Sequence, residues 1–297
     1  MSTTIPNKNI RDTEDFILDT PILHNEGVKT QHWQLKDMLK IHNEHLIFPQ
    51  SNTIFSYAYQ TENKHQLTEE LKFAPTSFCA YKDHLVVGGS KGQLYVKNLI
   101  SDEFHLRILS LDNEEYTTIE FISQVNFSSV SPDNKYLILV GDSNDVYVYS
   151  IEHSSYRLIK KLKTMRDGGF SVSWNNLSNK FAVATQDGYV CIWDIRSDEK
   201  LTTLNSEQQG SHKGAIRNVF FSRKKSLDLL FFTEQSSYLN AFDTRTFEKR
   251  HLVNVSRDLQ ITGATISEEN CKIFVSSDTD IYEYDINTIS RRIFDTK

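Results

Sequence analysis

Eight side chains of this 297-residue sequence have the types and spacing to hold another chain. Arg217, in Gly214-Ala215-Ile216-Arg217, carries a planar fork of N–H donors that suits a carboxylate or a pair of carbonyls. Arg166 stands beside Asp167 in a short polar turn, and Trp33 is assigned to the same face. Asp142, Asp187 and Glu234 each follow an apolar run and open a turn, so an acidic pocket for a positively charged chain N-terminus is expected there. Gln186 precedes Asp187, and His212 lies in the turn before Arg217 as a polar rim residue. The competing assignment for the set is a solvated rim with no ligand.

Other spacings suggest catalysis or metals and fall short. His42 and His45 have His-x-x-His spacing, but two ligands so placed need a helix and further ligands. His45 instead opens a β-rich run, which puts the pair on a turn. Asp142-Ser143-Asn144-Asp145 and Asp278-Thr279-Asp280 lack the glycine and the closing glutamate of a Ca²⁺ loop; such clusters are ordinary in hairpin turns. Gly88-Gly89-Ser90-Lys91-Gly92 lacks the order of a phosphate-binding loop and the helix that must follow it. There is no G-x-S-x-G elbow, no H-E-x-x-H and no tight carboxylate pair. The expectation is a non-enzymatic protein with no cofactor and no metal.

Composition narrows the class. Hydrophobic residues make up 38% and charged residues 24%, as in globular chains, and no apolar run approaches the ~18 residues of a membrane span. The polar start, MSTTIPNKNIRDTEDF, has no signal core. A cytoplasmic or nuclear location, with no membrane partner, is therefore expected. The net charge of −6 argues against a nucleic-acid partner, which needs a basic surface. Cys79, Cys191 and Cys271 stand far apart and read as reduced thiols; two of them lie in apolar runs, for which core packing is expected.

The elements that must position the eight residues recur along the chain. HLVVGGSKGQLYVKNL (His84–Leu99), YLILVGDSNDVYVYSI (Tyr136–Ile151), KFAVATQDGYVCIWDI (Lys180–Ile195), LLFFTEQSSYLNAFDT (Leu229–Thr244) and KIFVSSDTDIYEYDI (Lys272–Ile286) each give an apolar run, a polar turn and an alternating strand. HLIFPQSNTIFSYAY (His45–Tyr59) is a weaker copy. The position of Trp193 falls on Tyr57, Lys97, Tyr149, Trp193, Phe242 and Tyr284, at intervals of 40, 52, 44, 49 and 42 residues. With about four strands per unit, that period describes propeller blades.

Inner strands are expected at Gln31–Leu39, Pro75–Tyr81, Gln124–Ser131, Gly169–Trp174, Ala215–Ser222 and Ile261–Ser267. Outer strands are expected at Phe104–Leu109, Tyr156–Leu162, Lys200–Leu204, Glu248–Val253 and Arg291–Phe294. The fold class is thus all-β, with six recognisable four-stranded blades over residues 31–297. Residues 1–30 form an arm, in which Phe16–Leu23 either adds a strand that latches the ring or belongs to a flexible arm that docks only with a partner. A degenerate seventh blade, built from this arm and Ser110–Ile122, is the alternative.

Gln186-Asp187-Gly188 followed by Trp193-Asp194 resembles the typical blade ending of WD-repeat β-propellers. In that family a Thr, here Thr185, and an Asp, here Asp187, join a His and the Trp in a hydrogen-bonded network. The His is missing, because Thr164–Gly169 reads TMRDGG. QHWQLKDML, VNFSSVSPDNKYLILVGDS, FSVSWNNLSNKFAVATQDGYVCIWDIRS and GAIRNVFFS are further similar to a group of fungal and plant WD-repeat proteins with a domain catalogued as of unknown function. Members of that group carry one more blade where Leu99–Gln124 lies here. The resemblance implies a protein-interaction module. For one fungal relative it implies more, a substrate receptor of the GID/CTLH-type ubiquitin ligase whose partners are ligase subunits and peptide N-termini. A structural scaffold without a ligand pocket is the other function the sequence allows.

Overall fold

The computed structural model describes residues 11–12, 16–18, 20–30, 35–91, 93–99, 124–152, 155–223, 227–269 and 271–288. Among them six antiparallel sheets follow one another along the chain. The first holds β3 (Lys40–His42), β4 (His45–Gln50), β5 (Thr53–Ala58) and β6 (Asn63–Gln66). The second holds β7 (Pro75–Tyr81), β8 (His84–Gly89) and β9 (Leu94–Asn98). The third holds β10 (Val125–Val130), β11 (Tyr136–Gly141), β12 (Asp145–Glu152) and β13 (Ser155–Lys163). The fourth holds β14 (Gly169–Trp174), β15 (Lys180–Thr185), β16 (Tyr189–Asp194) and β17 (Lys200–Asn205). The fifth holds β18 (Ile216–Phe221), β19 (Leu229–Glu234), β20 (Tyr238–Asp243) and β21 (Lys249–Asn254). The last holds β22 (Gly263–Ile266), β23 (Lys272–Ser276) and β24 (Ile281–Asp285). Inner strands of neighbouring sheets meet from β22 through β3 to β7, and from β10 through β14 and β18 back to β22. The arrangement is a six-bladed β-propeller.

Each sheet is apolar on both faces, so it must be covered by the next. Phe181 on β15 stacks on Trp193 on β16 at 5.3 Å and meets Trp174 on β14 at 5.2 Å. These rings pack with Ile138 and Val140 of the third sheet. The other side of the fourth sheet packs on Phe232 and Phe242 of the fifth. Phe242, at the Trp193 position, stacks on Phe232 at 5.7 Å. Aromatic pairs of this kind add to their area burial, so a Phe can replace the Trp as filler. Among the described residues the second and third sheets share no such apolar cluster; a cavity of about 480 Å³ lies between β7 and β10.

Two segments before β3 close the ring. β1 (Arg11–Asp12) lies parallel to β21, and β2 (Ile22–His24) pairs antiparallel with β24, placing Ile22 opposite Glu283 and His24 opposite Ile281. Between them Ile17 bridges Ile286, and Phe16 and Ile17 are buried with the fifth and sixth sheets. The N-terminal residues therefore finish existing blades rather than starting a seventh, and no seventh sheet occurs among the described residues.

Several expected strands need correction. The inner strand of the first sheet is β3 rather than the expected Gln31–Leu39, of which residues 31–34 lie outside the described residues. Residues 35–39 have no regular structure, because Met38 and Leu39 are buried side by side where a strand would alternate them. The Met38 N–H donates to the Thr262 carbonyl of the sixth sheet at 3.2 Å. The edge expected from Arg291–Phe294 is occupied by β2. Arg291–Phe294, Phe104–Leu109 and Ser110–Ile122 lie outside the described residues. β6 carried no signal, since Asn63-Lys64-His65-Gln66 has no apolar member.

Candidate binding face

Turns joining the second and third strands of each sheet emerge on one face, as do the segments that lead into the inner strands. Four inner strands share a further feature at this face. Register slips between Pro75 and Ser77, Val125 and Phe127, Gly169 and Ser171, and Ile216 and Asn218. Thr76, Asn126, Phe170 and Arg217 are left as bulged residues one position into their strands. A bulge re-aims its side chain and ends pairing locally, which places these four in a belt at the mouth of the central channel.

Arg217 is the charged member of the belt and only 2% exposed. Its Nε donates to Gln235 Oε1 at 2.8 Å, and its guanidinium lies 4.4 Å from the centre of the Phe170 ring in the preceding blade. Nη1 is buried with no hydrogen-bond partner among the described residues. Burial lowers the Arg217 pKa to about 10, and Asp167 acts in the opposite direction. Asn126, at the same position one blade earlier, donates to Asp142 Oδ1 at 2.9 Å and to the Gly169 carbonyl at 3.1 Å.

Lys36 comes to the channel from the segment before β3. It is 4% exposed and donates to Thr30 Oγ1 at 2.9 Å. Its pKa is lowered, mainly by burial; Asp278 opposes that shift and Arg217 adds to it. Asp37 is paired with Lys40 and accepts from Asn218 Nδ2 at 3.0 Å. Burial raises the Asp37 pKa against both of these partners.

The structure brings together four of the eight residues expected at the face. Arg166, Gln186, Asp187 and His212 line a cavity of about 320 Å³ between the fourth and fifth sheets. Asp187 is the hinge of this cavity. Its Oδ1 accepts from the Thr185 hydroxyl at 2.5 Å, and its Oδ2 accepts from the Arg166 backbone N–H at 3.1 Å. Thr185 and Asp187 thus bond to one another as the WD-repeat resemblance implies. Gly188 completes the turn at φ +82°, and a Cβ there would meet Ser206 Oγ at 2.6 Å. Gln186 Oε1 is buried and has no hydrogen-bond partner among the described residues. The His212 side chain is exposed at the start of a short 3₁₀ turn, His212–Gly214.

The other four are placed differently. Arg217 belongs to the channel mouth. Asp142 is in the β11–β12 turn, bonded to Asn126. Trp33 lies outside the described residues. Glu234 is fully buried under the loop before β18. Its oxygens accept from the Glu207 N–H at 2.7 Å, the Gln208 N–H at 3.1 Å and Asn240 Nδ2 at 3.1 Å. Burial raises the Glu234 pKa, and those hydrogen bonds oppose the rise. Asp142, Asp187 and Glu234 therefore do not converge on one acidic pocket; each braces a different neighbouring segment, β10, the turn before β14 and the loop before β18. Lys36, Phe170, Asn126 and Gln235 were missed. For Phe170 and Asn126 the signal available was positional, the second residue of an inner strand, but a bulge leaves no mark in hydrophobic alternation; Lys36, before β3, and Gln235, just after β19, carried no such signal.

Among the described residues no three His, Cys, Asp or Glu side chains are grouped to hold a metal, and no helix is long and apolar enough to cross a membrane.

Comparison with known proteins agrees with this architecture. Residues 214–254, which contain the fifth sheet, match a family described as an uncharacterised protein domain (DUF2415). An uncharacterised protein of Schizosaccharomyces pombe is 25% identical over 93% of this chain and 93% of its own length. An uncharacterised protein of Saccharomyces cerevisiae is 23% identical over 52% of this chain, but that match covers only 26% of the yeast protein. A BTB/POZ domain and WD-repeat protein of Acanthamoeba polyphaga mimivirus is 28% identical over 40% of this chain and 24% of its own length. The propeller and a WD-repeat relative together suggest a protein-interaction module.

Proposed function

We propose that the protein is a non-enzymatic interaction module that captures a peptide segment or chain end on this face, as a substrate receptor or adaptor of a ubiquitin ligase. The observation carrying the reading is the cavity between the fourth and fifth sheets. Polar side chains line it, it is open on the turn face, and one of its lining residues, Gln186, keeps a buried Oε1 acceptor with no hydrogen-bond partner among the described residues. A buried unsatisfied acceptor is costly, and a peptide N–H or a chain-terminal ammonium would satisfy it. Asp187 holds the cavity's shape through Thr185 and Arg166, while the exposed His212 offers a contact at its rim. The ligase role comes from the resemblance to fungal WD-repeat proteins.

Affinity purification with mass spectrometry tests both levels. The wild-type chain is expected to recover ligase subunits and at least one further protein, and Gln186→Leu is expected to lose the further protein while keeping the subunits. Recovery of no ligase subunit counts against the adaptor role. An unchanged partner set for Gln186→Leu favours the second reading, a scaffold without a ligand pocket. That reading draws on the Asp187 and Glu234 carboxylates, each already engaged by groups of the protein itself, Thr185 for the one and the Glu207 N–H for the other.

A further inference from the structure

We infer that the channel mouth is an anion subsite in which Lys36 and Arg217 take a carboxylate of the bound peptide. The inference deepens the reading of this face as a peptide-binding face, and it rests on that reading only for the source of the carboxylate. Two cations are buried here with no ion-pair partner among the described residues. Arg217 spends Nε on Gln235 and its ring face on Phe170, and leaves Nη1 unused. Lys36 has three N–H donors, of which Thr30 takes one. Neither forms an ion pair among the described residues, and Asp37, the carboxylate beside Lys36 in sequence, is engaged by Lys40 and Asn218.

A buried charge without a partner is strongly disfavoured, and the hydrogen bond from Asn218 Nδ2 to Asp37 Oδ1 at 3.0 Å ties the segments that carry these two cations side by side. The bulge at Arg217 and the irregular run at 35–39 nonetheless hold them at one place. Access is from the cavity of about 480 Å³ that separates β7 from β10, which is lined by Lys36 and by Phe170, the ring on which Arg217 lies. A carboxylate offers only acceptors and matches both an ammonium and a guanidinium. Asp167 and Asp278 already supply part of the counter-charge at longer range. A single negative charge therefore balances the site better than a phosphate dianion.

The test uses the full chain and four probes in titration calorimetry. One is an acetylated, amidated glycine hexapeptide carrying one internal Glu; the second is its Gln counterpart. The third is acetyl-hexaglycine with a free C-terminus, and the fourth is inorganic phosphate. The Glu peptide, the free-acid peptide or both are expected to bind about tenfold or more tighter than the Gln peptide. Which of the two binds identifies a side-chain or a chain-terminal source. Arg217→Gln and Lys36→Gln are each expected to abolish the difference, and Arg217→Lys to restore part of it. Lys36→Gln keeps the test alive if Arg217→Gln does not fold. Equal binding of Glu, Gln and free-acid peptides overturns the inference. So does binding of phosphate alone, absence of binding by every probe, or a preference that survives Lys36→Gln. If Lys36→Gln recovers the wild-type partners while the peptides show no preference, the subsite falls and the interaction module stands. If the wild type recovers no partner, the module falls whatever the peptides show.

Discussion

At the scale of single residues, Thr185 shows how this propeller keeps a turn rigid. It is completely buried, its hydroxyl reaches Asp187 Oδ1 at 2.5 Å, and it accepts from the Tyr189 N–H at 3.1 Å. One hydroxyl thus joins the end of β15 to the start of β16 and orients the carboxylate that caps the Arg166 N–H. Replacing it with isosteric Val removes both bonds and leaves two polar groups in a buried turn. The Thr185→Val variant is expected to lose about 1–3 kcal/mol of stability, read from the urea midpoint, with partner recovery reduced alongside that of Gln186→Leu. An unchanged midpoint would show that the turn holds without it. Thr185 and Asp187 were legible because local spacing fixes a hairpin turn. Arg217 was legible as a type but not in its surroundings. Phe170 and Lys36 lie 47 and 181 positions away in sequence; packing of neighbouring blades brings the first beside Arg217, and ring closure brings the second to the same channel mouth.

At the scale of elements, the edge of the sixth sheet is where sequence periodicity stopped and long-range pairing took over. β23 and β24 alternate clearly, yet their outer partner, β2, is a three-residue strand more than two hundred residues earlier. A hairpin signal cannot announce such a partner. Its anchor is His24, buried, with Nε2 2.8 Å from Glu283 Oε2 on β24 and Nδ1 3.0 Å from the Tyr57 hydroxyl on β5. The ring thereby ties the added strand to the last and first blades at once. Burial acts to raise the Glu283 pKa, but hydrogen bonds from His24 and Lys272 outweigh it and hold the carboxyl below its ordinary value of 4.5. A depressed carboxylate stabilises the folded state above its unfolded pKa, and that contribution disappears as pH falls through the folded value. Stability is therefore expected to fall below about pH 4.5, more steeply in the wild type than in Glu283→Gln. Thermal melts from about pH 7 to about pH 3 read the difference directly; parallel curves for the two proteins would remove Glu283 from the account.

At the scale of the whole molecule, six repeats were countable from their turns, and their closure was not. A ring of blades has no free sheet edge between neighbours, but each blade keeps an outer edge, and the last needs its fourth strand from somewhere. Here the start of the chain supplies it, while β1 lies along the outer edge of the fifth sheet. Phe16 and Ile17, between the two strands, enter the apolar layer shared by Leu229, Phe231 and Tyr284. Two fully buried side chains of this size contribute about 1.5–3 kcal/mol each, and the His24 contacts add to that. Deleting residues 1–24 removes the strand, the apolar plug and the anchor together. It also exposes β24, with Tyr282 and Tyr284, as an unprotected edge, a template for pairing with other chains. The deletion is expected to lower the urea midpoint by an amount equivalent to about 3–6 kcal/mol and to cause concentration-dependent association. A synthetic peptide spanning residues 11–24, added in trans, is expected to reverse both effects, because it restores the same pairing without the covalent link. Sedimentation and unfolding measured with and without the peptide decide the point: a deletion variant that stays monomeric with an unshifted midpoint would mean that the six blades close through their inner strands alone.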